Sequence, residues 1–358
     1  MPGKENSLAL TLLLLIGSVG CVSSHTAYVT LPTVNGVSAY RIDSSSGKLT
    51  QIVGSPYTTG NSPGPVVVDP SKKFVWIANR DDNNISRFKI DSTSGGLSEV
   101  LPRTSTAFDP VAMVVNASGS FLFVANELSS SLSVYAIDSS TGALRQVSAP
   151  FPTPQNPVAL AITPSGKFLY VVNSDLGAVL AYSVSASGLL ETIAGSPFIA
   201  GAGALAVAVD PKEHFVYVAN ATDNTVSIFV INPVTGALIQ VPGSPFLTGT
   251  APVSLAVTIS GQFLYVANAT SNNISAYSID PRSGFATALT EGPFSAGTTP
   301  VLVVTDPHGT YVYSISQTSR TITEFTLQTT GGSAPGVLTN NGQSASTPEP
   351  AVAMSVTP

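Results

Sequence analysis

The stretch FLYVAN, Phe263–Asn268, decides how the rest of the chain is read. It returns as FVYVAN at Phe215–Asn220, FLYVVN at Phe168–Asn173, FLFVAN at Phe121–Asn126 and FVWIAN at Phe74–Asn79. Weaker copies are YVYSIS at Tyr311–Ser316 and AYVT at 27–30. Their last positions, 30, 79, 126, 173, 220, 268 and 316, are spaced by 47 to 49 residues. A fixed period of that size marks a repeat architecture, in which each unit is too thin to bury its own faces and stacking supplies the core.

Around each copy lie three further strand-like segments. In the sixth unit, 252–258 (PVSLAVT) is apolar on both faces, as an innermost strand should be. A tight turn leads to FLYVAN. Then 273–280 (NISAYSID) alternates, a Pro-Arg-Ser-Gly turn follows, and a weak fourth segment lies near 285–289. These are segments A to D. The short connections carry Gly, Pro, Asn, Asp or Ser, as hairpins require. Seven such meanders stacked radially predict an all-β fold, a seven-bladed β-propeller of four-stranded antiparallel blades. The A segments start near Pro65, Pro110, Pro157, Ala204, Pro252, Pro300 and Pro350. The chain opens on a B segment with no A before it and closes on an unpaired A segment, 351–357 (AVAMSVT). The last strand is therefore expected to become the innermost strand of the first blade, which removes the open edges of an unclosed array.

Three repeated features have a physical reading. Gly after segment C (Gly47, Gly95, Gly142, Gly236, Gly284) suits a turn position with positive φ. The Asn ending segment B is expected to pin the B–C turn by bonding nearby backbone. The aromatic of the Gly-Ser-Pro-aromatic phrase (Tyr57, Phe198, Phe246, and Phe294 in a shorter form) is expected to plug the space between blades.

Composition fits a turn-rich β protein. Of 358 residues, 43% are hydrophobic and only 9% charged, against about 25% charged in ordinary domains. A net charge of −6 supplies no basic stripe, so nucleic acid is not an expected partner. The N-terminus reads as a targeting segment: Lys4, then an apolar run at 8–16 (LALTLLLLI), then small residues. That run is too short to span a bilayer, so 1–20 reads as a signal peptide. The single cysteine, Cys21, follows at once, and Gly20-Cys21 resembles the end of a bacterial lipobox with Ser18 in place of the usual Leu. Cys21 is the expected lipidation site and mature N-terminus. Ordinary cleavage after Gly20 is the alternative. Either way the protein is expected to be exported, to the cell envelope or beyond, touching membrane only through such an anchor. Residues 22–358 are expected to form one propeller domain, without any intrachain disulfide.

Because strands alternate in direction, B–C and D–A loops share one face, here called the top. Its charges are Arg80, Asp81, Asp82, Arg103, Asp109, Glu127, Asp175, Asp223, Glu291, Arg320 and Glu349, six of them between Arg80 and Glu127. An Arg and carboxylate cluster there can orient an anion and supply a general base, so Glu127, Arg80, Arg103 and Asp109 are the candidate catalytic residues. Solvated turns with weak surface ion pairs are the plainer reading of the same residues. His25 lies in the N-terminal lead-in, and His214 and His308 fall in A–B turns on the opposite face. No Ser-His-Asp arrangement is expected at the top. There is no His-x-x-x-His or Cys-x-x-Cys pair, and the Asp and Asn runs near Arg80 and Asp223 lack the spaced ligands of a calcium loop, so no metal and no cofactor is expected.

The repeat resembles the lactonase family of seven-bladed propellers, which includes 6-phosphogluconolactonase-like proteins, and the related surface propellers named for a Tyr-Val-Thr-Asn repeat. The matching phrases are Pro-Ser-Gly-Lys-Phe-Leu-Tyr-Val at 164–171, Ile-Asp-x-x-x-Gly-x-Leu at 137–144, and Gly-Ser-Pro-Phe. The resemblance covers about residues 26–358. It implies hydrolysis of a sugar-acid or related lactone. It carries over Asn126-Glu127-Leu128, but not the family's inner-strand histidines, whose places read Pro157-Val158-Ala159-Leu160 and Pro110-Val111-Ala112-Met113. Two functions follow as expectations. One is a lactone hydrolase for a small anionic lactone, with Glu127 as base and Arg80 or Arg103 holding the substrate. The other is a non-catalytic envelope propeller binding a protein or glycan through its top loops.

Overall fold

The structure is a computed structural model and describes residues 25–329 and 335–358. The segment 1–20 expected to be a signal peptide, and Cys21, lie outside the described residues. Seven antiparallel sheets form the blades, and their innermost strands contact one another in a closed ring. Those A strands are Ala353–Val356 (blade 1), Pro63–Val68, Pro110–Val115, Pro157–Ile162, Ala204–Val209, Pro252–Val257 and Pro300–Thr305 (blade 7). The B strands are His25–Leu31 followed by the six FLYVAN-type segments. Closure is as expected. Ala353–Val356 pairs antiparallel with blade 1's B strand, Ala27 opposite Val356 and Thr30 opposite Ala353. The join is latched where the Thr26 N–H donates to Thr357 Oγ1 at 2.9 Å and the Thr357 N–H to the Thr26 carbonyl at 2.9 Å.

FLYVAN itself binds one blade to the next. Its first aromatic packs under the C–D turn glycine of the following blade: a Cβ on Gly142 would lie 2.6 Å from Phe74, and Gly236 meets Phe168 in the same way. Those glycines are thus required twice, for a φ of +68 at Gly142 and +73 at Gly236 and for this close approach. The third residue then reaches the same glycine's carbonyl. Tyr170 Oη donates to Gly236 at 2.9 Å, Tyr265 to Gly336 at 2.7 Å, Tyr313 to Gly47 at 3.0 Å and Trp76 Nε1 to Gly142 at 3.0 Å. Tyr217 is an exception, its buried hydroxyl having no partner. The final Asn is fully buried in all five copies. The expected backbone bonding is present, as where Asn79 Oδ1 accepts the Gly60 N–H at 3.0 Å, but side-chain partners are added to it. In blades 2, 5 and 6 the amide donates to side chains on strand C, as Asn220 does to Thr225 Oγ1 at 3.0 Å and Ser227 Oγ at 2.9 Å. Asn126 bonds both Ser133 Oγ and the Ser131 carbonyl, and only Asn173 turns to backbone alone.

Strand D is not the single weak strand expected. In blades 1 to 6 it is split, as in Leu49–Gln51 and Tyr57–Thr58, which pair with opposite ends of strand C. The Gly-Ser-Pro phrase in three of these blades spans the break, and its serine caps the strand C amide left open: Ser55 Oγ accepts from Ala39, Ser196 from Ala181 and Ser244 from Ile228. The aromatic that follows packs into the apolar cluster between blades, as Phe198 does with Tyr170, Val179 and Phe229. At the closing seam, blade 7's strand C carries Glu324, 1% exposed. Its Oε1 accepts the Leu49 N–H of blade 1 at 2.9 Å while Oε2 has no partner. Burial pushes this carboxyl above its ordinary value, against the opposing pull of that bond and of Lys48.

Candidate active site at the mouth of blades 2 and 3

None of the seven inner strands contains a charged or histidine residue. Their Val111, Ala112, Val158, Leu160, Leu205 and Val207 are aliphatic and partly exposed. All three histidines stand at the opposite end: His214 and His308 in A–B turns, and His25, which opens strand B of blade 1, edge-on to His308 at 4.3 Å between ring centroids. Polar chemistry at the top must therefore come from loop positions.

Two such positions are fixed by the repeat. One follows the buried Asn and is occupied by Leu31, Arg80, Glu127, Ser174, Ala221, Ala269 and Gln317 in the seven blades. The other precedes strand A and is left-handed in six blades, at Ser62, Asp109, Asn156, Gly203, Ala251 and Thr299. A backbone bond joins them within each of these six blades, such as Glu127 N–H to the Asp109 carbonyl at 2.9 Å. Between blades, an Asn before strand C accepts the amide of the left-handed residue: Asn83 Oδ1 from Asp109, and likewise Asn224 from Ala251 and Asn272 from Thr299, each at 2.8 Å. This clasp went unread in the sequence, although an Asn at 35, 83, 224 and 272 was its signal.

The scaffold thereby sets Arg80 beside Asp109 and Glu127. Arg80 Nε and Nη2 donate to the two Asp109 oxygens at 2.7 and 2.9 Å, and Nη2 lies 3.4 Å from Glu127 Oε2. Bidentate geometry of this kind is the strong form of the ion pair. Among the described residues, Arg80 Nη1 and Glu127 Oε1 have no hydrogen-bond partner. Desolvation raises the Glu127 carboxyl above its usual 4.5, Asp109 adds to the rise, and Arg80 opposes it. The Asp109 bond holds the Arg80 guanidinium still more firmly protonated.

Arg103 does not join this group. It lies in the break between the halves of blade 2's strand D, at the outer edge, and pairs with Glu99 at 2.8 Å and Asp82 at 3.7 Å. Arg80 lines two recesses. One, about 390 Å³, is walled by Pro32, Pro63, Pro65, Val111 and Val352; the other, about 510 Å³, by Ser62, Asp81, Asn83, Asp109 and Leu128. Both are of small-molecule size. Glu127 lies in the wall of neither and reaches them through Arg80. Among the described residues, no three His, Cys, Asp or Glu side chains are placed to hold a metal ion.

The sequence model of a family described as lactonase, 7-bladed β-propeller, matches residues 22–159 and 159–355. The chain belongs to this lactonase family. Solved structures of similar shape include a candidate 6-phosphogluconolactonase from Bacteroides fragilis, with a TM-score of 0.81 and 20% identity over 94% of this chain and 98% of the other. A periplasmic gluconolactonase from Pseudomonas aeruginosa has a TM-score of 0.77 and 19% identity over 94% and 99%. At such identities the likeness establishes the fold alone. Among curated proteins no match is found.

Proposed function

We propose that this lactonase-family propeller hydrolyses a sugar-acid lactone at the mouth of blades 2 and 3. The observation that carries the reading is the convergence of Arg80, Asp109 and Glu127 beside two recesses of ligand size. Asp109 holds the guanidinium by two bonds, which leaves Arg80 Nη1 to face a substrate. Water attacks the lactone carbonyl carbon and gives its proton to Glu127. Negative charge gathers on the carbonyl oxygen, where Arg80 stabilises it. The ring C–O bond then breaks, and the departing alkoxide takes the proton back from Glu127, leaving a hydroxy acid.

The charge balance favours a neutral substrate over the anionic one expected from sequence. Among the described residues, Asp81 and Asp109 face Arg80 in the recess walls with Glu127 beside it, Arg80 is already engaged, and neither wall carries another cation. In this reading residues 1–20 export the protein and Cys21 anchors it. The test is proton release from a panel of aldonolactones and their phosphorylated counterparts. Opening faster than in buffer, best for the unphosphorylated members, and a fall of about 10²- to 10⁴-fold in Glu127→Gln are expected. No excess over buffer across the panel would end the enzyme reading.

A further inference from the structure

Charge is divided unevenly around the ring. Residues 25–103, most of blades 1 and 2, hold eight Lys and Arg against six Asp and Glu, whereas residues 104–358 hold five against thirteen. A reversal of sign within one domain marks a surface suited to something negative. Three of the six acids are remote or engaged: Asp81 and Asp82 lie in the top loop of blade 2, and Glu99 pairs with Arg103. The other three are taken up by their own turns. Asp43 Oδ1 accepts the Ser45 and Ser46 N–H groups at 3.0 and 2.9 Å, Asp91 Oδ1 those of Thr93 and Ser94 at 3.1 and 2.7 Å, and Asp69 is buried.

The cations are placed differently. Arg41, Lys48, Lys72, Lys73 and Lys89 are exposed, and none is ion-paired among the described residues. Lys72 and Lys73 sit in the A–B turn of blade 2, Lys48 in the C–D turn of blade 1, and Arg41 and Lys89 one residue from the lower end of strand C. All five are therefore at the bottom, away from the mouth. Lys72 also departs from the repeat. Its turn position is left-handed in blades 2 to 7 and is glycine in four of them, at Gly119, Gly166, Gly261 and Gly309. Blade 5 has Glu213 there, φ +60, which accepts from Ser165 Oγ at 2.8 Å. Lys72, also at φ +60, has no ion pair to account for it. A left-handed backbone crowds any Cβ, so a lysine there is a poor choice for the fold alone.

The path of the chain says what lies opposite. Strand B of blade 1 enters the fold at the bottom, at His25, and Lys72 is near that ring: burial, then His308, then Lys72 hold the His25 imidazole below its ordinary pKa. Cys21 precedes His25 by four positions, a reach of at most about 14 Å. A Cys21 acylated in a bilayer thus brings the bottom of blade 1 and its neighbour blade 2 to the headgroups. We propose that the bottom of blades 1 and 2 docks on anionic phospholipid headgroups, Lys72 and Lys73 nearest the ring axis and Arg41, Lys48 and Lys89 farther out. This rests on the proposed Cys21 anchor for its orientation and adds a contact made by the propeller itself. Such attraction fades over about 10 Å at ordinary salt, so a local patch can act although the whole chain carries −6. Docked this way, the mouth at Arg80, Asp109 and Glu127 points away from the membrane, open to solutes.

Lysine labelling of the full chain on vesicles tests this. The processed protein is mixed at low salt with vesicles of phosphatidylcholine alone or with about one third phosphatidylglycerol. Its lysines are acetylated, and mass spectrometry reads each site together with the state of Cys21. Lys72 and Lys73 should be labelled about threefold less on the anionic vesicles than on the neutral ones. Lys167 and Lys212, on the same face in blades 4 and 5, should be labelled alike on both. Lys72→Glu/Lys73→Glu should abolish the difference at Lys48 and Lys89; its first change installs the residue that blade 5 carries at this turn. Equal labelling of Lys72 and Lys73 on the two kinds of vesicle, or protection of Lys167 and Lys212 as large as theirs, overturns the proposal. An unmodified Cys21 with the anionic protection intact would remove the anchor and uphold the surface.

Discussion

Blades 2 and 3 and blades 5 and 6 share one backbone and differ in what they carry. After the buried Asn stand Arg80 and Glu127 in the first pair, Ala221 and Ala269 in the second. Before strand A stand Asp109 in one and Ala251 in the other, both left-handed, with φ of +58 and +55. The same clasp from Asn83 or Asn224 holds each. Geometry at these positions is thus set by the repeat and is indifferent to the side chain, so a site can be written onto one sector while its counterpart stays blank.

The largest effect tests that indifference. Asn126→Ala and Asn220→Ala each remove a fully buried amide and strand the hydroxyls it serves, and each should cost about 2 to 3 kcal/mol in denaturant unfolding. Near-equal losses support a common scaffold. A difference above about 1 kcal/mol would mean that the charged sector has its own supports.

A smaller effect separates the two arginines. In the proposed reaction Glu127 must be ionised, so the acid limb of kcat/KM should lie above 4.5. Arg80→Met removes the cation that opposes the rise and should move that limb further up. Arg103→Met, at an edge whose partners are Glu99 and Asp82, should leave it in place. A limb moved equally by both would dissolve the distinction.

The smallest effect concerns a carboxylate inside the scaffold. Glu324 has a raised pKa in the fold, so its contribution to stability is full below the ordinary carboxylate range and is lost as pH rises through the raised value. Glu324→Gln should therefore gain on the wild type with increasing pH, by about 2 to 4 °C in Tm near neutrality. A constant gap between the two proteins from acid to neutral pH would show that the seam does not feel that charge.

The fold was legible because FLYVAN does its work through residues that must recur. An aromatic under a glycine and a buried amide cannot drift without loosening a seam. The closing strand was legible from the same count. Strand D was harder, since its halves are as short as Tyr57–Thr58 and carry no alternation of their own. That is why Arg103 read as a loop residue near the mouth and emerged on the rim. The grouping of Arg80, Asp109 and Glu127 was visible as proximity of blades, but their bonding was not, because it depends on a left-handed turn at an aspartate.

Blade 1 is begun first and finished last. The threonines that latch it lie 331 residues apart in the chain, so during translation its strand B waits for an inner neighbour while the other six blades emerge, tens of seconds at roughly 5 to 20 residues per second. Throughout that interval the nascent ring is a crescent with two raw flanks. Whatever receives the growing polypeptide must keep those flanks apart from other chains until the final residues arrive to shut it.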